Sequence, residues 1–195
     1  DERVLRAAQV LLEERIARPI LIGRPAVLES RIERFGLTLK PGRDFEVVNP
    51  EDDPRYRDYV ALFHSLVGRN GVTPDTARTI VRTNTTTIGA LAVKRGDADA
   101  MLCGLQGRYI KHVRDIRSVL GLQDGVKDVS ALSMLIMPKG AFFLADTYVN
   151  MDPTPAELVS IALQARNHLK RFNIEARAAL LSYSNFGSRD GDSAF

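Results

Sequence analysis

Apolar residues recur at Val4, Ala8 and Leu11, and at Leu5, Ala8 and Leu12, with charged side chains between them. That is the spacing of one helix face, and it predicts a helix from Glu2 to about Ala17, stopped by Arg18-Pro19. Ile20-Leu21-Ile22-Gly23 follows as a short buried strand. Pro25 fits the first turn of a second helix, which runs to about Phe35 and is closed by Gly36. Phe45-Glu46-Val47-Val48 reads as the next strand, with Asn49-Pro50 as its exit. Helix, strand, helix, strand with short connections is the rhythm of a parallel sheet covered on its faces.

A helix starting at Asp53-Pro54 carries Tyr56, Tyr59, Phe63 and Leu66, and Gly68 to Gly71 break it. Thr73-Pro74-Asp75 then supplies an N-cap, an N1 proline and an early acid for a helix with Ala77, Ile80 and Val81 inward. Thr83 to Thr87 interrupt that helix, and a further one carries Ile88, Leu91 and Ala92 to Gly96. Asp99 to Gly104 is expected as a strand ending at glycine, and Arg108 to Leu120 as a basic helix. Val129 to Met137 and Ala141 to Ala145 are two apolar strands around the turn Pro138-Lys139-Gly140. Thr154-Pro155-Ala156-Glu157 is a capping box, opening a helix that buries Leu158, Ile161, Ala162, Ala165 and Leu169. Arg177 to Leu181 is the last strand. The pattern predicts an α/β fold: a mostly parallel sheet flanked by helices, with an antiparallel edge hairpin. Gly121 and Gly125 divide it into two α/β parts, residues 1–125 and 126–195.

A hydrophobic content of 45% over 195 residues is enough for a substantial core. The formal net charge of +3 comes from 27 basic and 24 acidic side chains. These are scattered, with no zinc-finger spacing or positive arm, so no nucleic acid is expected as a partner. Cys103 is the only cysteine, which excludes an internal disulfide; its apolar neighbours predict a buried thiol. No apolar run reaches membrane-spanning length and the charged start is unlike a signal peptide, so a cytoplasmic protein with no membrane partner is expected. A start on Asp1 and an end soon after Ser188 give the expectation of one part of a longer protein.

Candidate chemistry gathers in four segments. Arg82-Thr83-Asn84-Thr85-Thr86-Thr87 sets hydroxyl and amide side chains beside an arginine at a helix start. Arg82, Asn84, Thr85 and Thr86 can there hold an anion together with backbone N–H groups. The same residues also suit a plain capping turn. Gly104-Leu105-Gln106-Gly107-Arg108 runs into a helix bearing Lys111, Arg114 and Arg117. Gly104 and Gly107 allow close backbone approach, while Arg108 and Arg114 add positive charge; a solvated basic face is the alternative. This is neither a P-loop nor a dinucleotide fingerprint. His112 reads as surface or packing. Asp146 can accept from a ligand, hold an arginine, or cap its own loop. Ser182, Ser184 and Ser188 resemble an anion nest, without a Gly-x-Ser-x-Gly elbow. His64, His112 and His168 are isolated, without metal-ligand spacing.

These segments carry a resemblance. Lys94-Arg95-Gly96-Asp97-Ala98-Asp99-Ala100, Met137-Pro138-Lys139-Gly140 through Tyr148-Val149-Asn150, and Leu181-Ser182-Tyr183-Ser184-Asn185-Phe186-Gly187-Ser188 resemble the phosphate acetyl/butyryltransferase family. Gly71-Val72-Thr73-Pro74 through Asn84-Thr85-Thr86-Thr87, with Gly104 to Tyr109, is similar to the carboxy-terminal domain of bacterial hybrid NADP-dependent malic enzymes. The resemblance implies two α/β parts related to the isocitrate and isopropylmalate dehydrogenases, with a cleft for coenzyme A thioester and phosphate. Transferases of the family show Gly-x-x-His-Thr-Thr-Ala-Asp-x-x-Arg after the glycine strand. Here the arginine matches Arg114, but the histidine and both threonines are Gly107, Arg108 and Tyr109. The Ser-Thr before the terminal glycine is Ser184-Asn185. The family's catalytic serine, arginine and aspartate lie beyond the Leu-Ser-x-Ser motif, so those roles fall on no residue of this sequence.

The resemblance therefore implies a non-catalytic domain that senses acetyl-coenzyme A and supports a homo-oligomer. Its partner would be an amino-terminal malic-enzyme domain using NADP and Mg or Mn to decarboxylate malate oxidatively. The alternative is an active phosphate acetyltransferase.

Overall fold

The computed structural model describes residues 1–181. The chain forms two compact units, the first Asp1–Gly121 and the second beginning at Leu122.

In the first unit, α1 (Glu2–Glu13), β1 (Ile20–Ile22), α2 (Pro25–Arg34) and β2 (Glu46–Val48) follow in order. The two strands pair in parallel, Ile20 with Glu46, Leu21 with Val47 and Ile22 with Val48. Phe45, just before β2, is fully buried among Leu5, Ala8, Leu21, Ile32 and Leu39. Leu5 and Ala8 are inward positions that the period of α1 predicts, while Leu21 comes from β1, Ile32 from α2, and Leu39 and Phe45 from the stretch ahead of β2.

Helix α1 ends well before the expected Ala17. Arg15 sits at φ 54°, and the Ile16 N–H donates to the Leu11 carbonyl while the Arg15 N–H donates to that of Leu12. That is a Schellman ending with arginine where glycine is usual, and no glycine in the sequence marked it. A left-handed conformation costs an L-residue roughly 1–2 kcal/mol. Arg15→Gly should therefore stabilise the chain by about 1 kcal/mol, after glycine's greater loss of chain entropy. A lower melting temperature would contradict this account.

The rest of the first unit is helical: α3 (Tyr56–Val67), a 3₁₀ turn (Gly68–Asn70), α4 (Pro74–Thr83), α5 (Thr85–Arg95) and α6 (Tyr109–Leu120). Their inward faces make a second core of Tyr59, Phe63, Val81, Ile88, Leu91 and Val119, among others, joined by Val48 of β2. Helix α3 begins at Tyr56, later than Asp53-Pro54 predicts. The Asp53 carboxylate accepts from the Arg55 backbone N–H at 2.9 Å and from its guanidinium at 2.9 and 3.0 Å, which fixes a turn ahead of the helix. Tyr59 is buried, and its hydroxyl donates to Asp97 at 2.9 Å. Burial, with that carboxylate beside it, pushes the phenol well above its ordinary value.

Three expectations fail here. Asp99 to Gly104 forms no strand: the segment has no ladder partner, and the only parallel pair of strands among the described residues is β1 with β2, apart from an isolated parallel bridge between Pro41 and Phe45. Cys103 is consequently exposed, not buried. Arg177 to Leu181 is irregular, with Leu180 and Leu181 79% and 83% exposed. Apolar content alone proposed both strands, and without neighbouring backbone to satisfy their amides neither forms.

In the second unit, β3 (Leu132–Met137) and β4 (Gly140–Ala145) pair antiparallel, from Leu132 with Ala145 to Met137 with Gly140. Among the described residues the hairpin is a sheet of its own rather than the edge of the parallel one. Helix α7 (Pro155–Arg171) opens with the expected capping box, Glu157 accepting from the Thr154 N–H at 2.6 Å. Ile161 is buried; Leu158, Ala162, Ala165 and Leu169 are half-buried. The chain is mixed α/β, with a small parallel sheet and an antiparallel hairpin. Among the described residues no helix is long and apolar enough to cross a membrane. No group of three or more His, Cys, Asp or Glu there could hold a metal ion.

Candidate ligand-binding site

The corner between α4 and α5 is a single residue, Asn84, which ends one helix and caps the next. Its Oδ1 accepts from the N–H groups of Thr86 and Thr87 at 3.1 and 3.2 Å. Its Nδ2 donates to Asp115 Oδ2 at 2.8 Å, an oxygen that also receives the Lys111 ammonium at 2.8 Å. Asn84 thus ties α4, α5 and α6 together. It also occupies helix amides that an anion would otherwise use.

Thr86 and Thr87 are buried in the first turn of α5. The Thr86 hydroxyl lies 2.8 Å from His112 Nδ1, and His112 Nε2 lies 2.7 Å from the Gln106 carbonyl oxygen. A carbonyl can only accept, so Nε2 carries hydrogen; in the neutral ring Nδ1 accepts from Thr86. Gly107 has φ +99°, and a Cβ added there would meet His112 Nε2 at 3.0 Å. Gly104 is also left-handed, at φ +101°. Among the described residues no backbone N–H from 99 to 108 is taken by a hydrogen bond, so the loop leading into α6 spends none of these donors within the first unit.

Arg82 stacks over the Tyr56 ring at 4.9 Å and lines a crevice of about 400 Å³ with Gly23, Arg24, Pro50, Glu51 and Thr83. The crevice lies where β1 and β2 end, the side of a parallel sheet on which open α/β proteins bind ligands. Arg24 was not singled out in the sequence, and Glu51, beside Asp52 and Asp53, read as part of a solubilising turn. The available signal was that each directly follows a strand exit, Gly23 and Pro50.

Of the predicted residues, Arg82, Asn84, Thr85, Thr86, Gly104, Gly107, Arg108 and Arg114 all belong to the first unit. Asn84 and Thr86 are committed to holding the helices, while Arg82, Thr85, Arg108 and Arg114 are exposed. Asp146 belongs to the second unit and holds its own loop. Its carboxylate accepts the backbone N–H groups of Ala131, Tyr148, Val149 and Asn150 and the side-chain amide of Asn150. Burial would raise its pKa, but those backbone donors outweigh it and hold the group below the usual carboxylate range. Ser182, Ser184 and Ser188 lie outside the described residues. His112, assigned to surface or packing, proves to be the link between α5 and the glycine loop.

The family model for phosphate acetyl/butaryl transferase matches residues 1–195. The chain belongs to that family. It is 62% identical over its whole length to the NAD-dependent malic enzyme of Rhizobium meliloti (strain 1021), and spans 25% of that protein. With the NADP-dependent malic enzyme of Salmonella typhimurium it shares 47% identity over 100% of the chain and 26% of the relative. It therefore spans about a quarter of the length of these malic enzymes. Among solved structures, EutD phosphotransacetylase from Staphylococcus aureus matches with a TM-score of 0.83 and 24% identity, over 98% of this chain and 57% of that one. That likeness places the chain in the phosphotransacetylase fold.

Proposed function

We propose that this chain is the carboxy-terminal, non-catalytic region of a malic enzyme, where it senses acetyl-coenzyme A and supports assembly of the oligomer. The observation that carries the reading is the use of the polar groups around α5 and α6. Asn84, Thr86 and His112 spend their hydrogen bonds on the fold, while the glycine-loop amides, unbonded among the described residues, and the exposed guanidiniums of Arg82, Arg108 and Arg114 suit an anion. Phosphate groups of a coenzyme A thioester suit such donors, because guanidinium forks and loop amides both match phosphate oxygens. Acyl transfer needs more: donors aimed at the developing oxyanion, and control of the thiolate. At the positions of the transferase histidine and threonines this chain has Gly107, Arg108 and Tyr109. Loss of one oxyanion donor typically costs about 10²–10³ in rate.

On this reading malate oxidation, with its nicotinamide and Mg or Mn, belongs to a region outside this chain. The resemblance named NADP; the two relatives divide between NAD and NADP. The working phosphate acetyltransferase remains the second reading, favoured by a family match over the whole chain. Titration of the full-length protein with acetyl-coenzyme A, followed calorimetrically, decides between them when paired with an assay of thiol release in phosphate. Sub-millimolar binding without thiol release, together with an effect of the ligand on malate turnover, is the expected result. Thiol release at transferase rates would establish the second reading, and absence of binding at millimolar ligand would remove both.

A further inference from the structure

The segment from Asp99 to Gly107 makes no backbone hydrogen bond with the rest of the first unit. Among the described residues its side-chain hydrogen bonds to that unit are two. His112 Nε2 donates to the Gln106 carbonyl at 2.7 Å, and Gln106 Nε2 reaches Asp1 Oδ2 at 3.4 Å. The second is long and exposed. Half-buried Met101 is the apolar anchor at the other end, packed near Gly89. Within the first unit, the end of the segment nearest α6 is therefore held chiefly by one imidazole.

That imidazole is itself fixed from behind. Thr86, buried in the first turn of α5, donates to Nδ1 at 2.8 Å, which sets the tautomer with hydrogen on Nε2 and aims that hydrogen at the loop. Gly107 completes the arrangement, since a Cβ would lie 3.0 Å from Nε2 and push the ring away from Gln106.

We infer that Thr86, His112 and Gly107 form a latch that holds the 104–108 loop ready for the anionic ligand, with His112 as the positioning residue. The inference rests on the acyl-coenzyme A reading. A loop already held in its bound shape loses less conformational freedom when the ligand arrives, so affinity is higher than for a free loop. His112 takes no part in chemistry: its donor is spent on Gln106 and its acceptor on Thr86.

The test uses the full-length protein and two readouts. Tryptic cleavage after Arg108, followed by peptide mass spectrometry without ligand, reports the latch itself. Calorimetric titration with acetyl-coenzyme A reports its coupling to binding. His112→Ala should speed the cleavage and weaken affinity by about 5- to 10-fold, the equivalent of one hydrogen bond. His112→Gln, which can still donate to Gln106, should restore both to within about twofold, a rescue that loss of packing would not give. Gly107→Ala should reproduce the alanine variant with His112 intact.

Cleavage unchanged in His112→Ala, in a protein whose melting temperature stays at the wild-type value, overturns the latch. Faster cleavage with unchanged affinity overturns the ligand-ready role. A wild-type protein that binds no acetyl-coenzyme A removes the ligand reading and the ligand-ready role with it, while cleavage alone then decides whether the latch exists.

Discussion

Asp146→Ala destabilises the loop after the β3–β4 hairpin by about 2–4 kcal/mol, with the loss concentrated at the amides of Ala131, Tyr148, Val149 and Asn150. Oδ1 accepts from Ala131 N at 2.8 Å and from Tyr148 N and Val149 N at 3.3 Å; Oδ2 accepts from Asn150 N at 2.7 Å and Nδ2 at 2.6 Å. A hydrogen bond to a charged group contributes roughly 1.5–3 kcal/mol net, but the two longer contacts are weak. Water also replaces part of what a half-buried carboxylate supplies, so the total stays well below five such bonds. Hydrogen exchange at the four amides is the direct measurement, and unchanged protection would refute the assignment. Asp146→Asn should recover only part of the loss, because one of its two terminal atoms is a donor facing donors.

The same contacts fix the pH dependence. Burial opposes the charged form, yet the backbone donors win and the folded pKa lies below the unfolded one. A group depressed in this way contributes its full stability above the unfolded value, about 3.9 for aspartate, and loses it as pH falls through the folded value. The stability gap between the parent chain and Asp146→Ala should therefore be widest near neutrality and close in acid. A gap independent of pH would contradict the account.

Asn84→Ala costs about 2 kcal/mol, the second largest loss expected. A side-chain N-cap is worth about 1 kcal/mol, and a hydrogen bond to a charged partner adds to it. Here one side chain supplies both, two amides on one side and Asp115 on the other. Asn84→Ser keeps the cap and loses Asp115, so it should recover about half. Asn84→Asp keeps the cap as well, but brings a second carboxylate against Asp115 where the amide donated at 2.8 Å. It should rank below serine despite being the closer shape. Denaturant unfolding of the set gives the order, and aspartate at or above serine would mean that Asp115 does not matter to the corner.

The helices were legible because each carries its own instructions. Thr154 and Glu157 form the capping box that their spacing announces, Thr73 caps α4 ahead of Pro74, and the inward faces of α3 to α5 are the apolar positions at helical spacing. The hairpin was legible for the same reason, since its turn and both strands are contiguous. Asp99 to Gly104 and Arg177 to Leu181 misled because a strand is completed by a neighbour, and an apolar run does not say whether one exists. Arg15 hid a helix end because nothing in its side chain signals a left-handed backbone.

The site divided along the same line. That Arg82 to Thr87 and Gly104 to Arg108 would be polar junctions at helix starts could be read directly from residue types. Whether their groups face a ligand or the fold could not. Asn84 meeting Asp115, and Thr86 meeting His112, join residues 31 and 26 positions apart in the chain. Local order alone determined the helices, the hairpin and the family to which the chain belongs, because caps, periods and motifs act over a few neighbouring residues. Only the packing of α5 against α6 decided which donors are spent and which stay free, because a hydrogen bond belongs to whichever partner the fold brings within 3 Å or so.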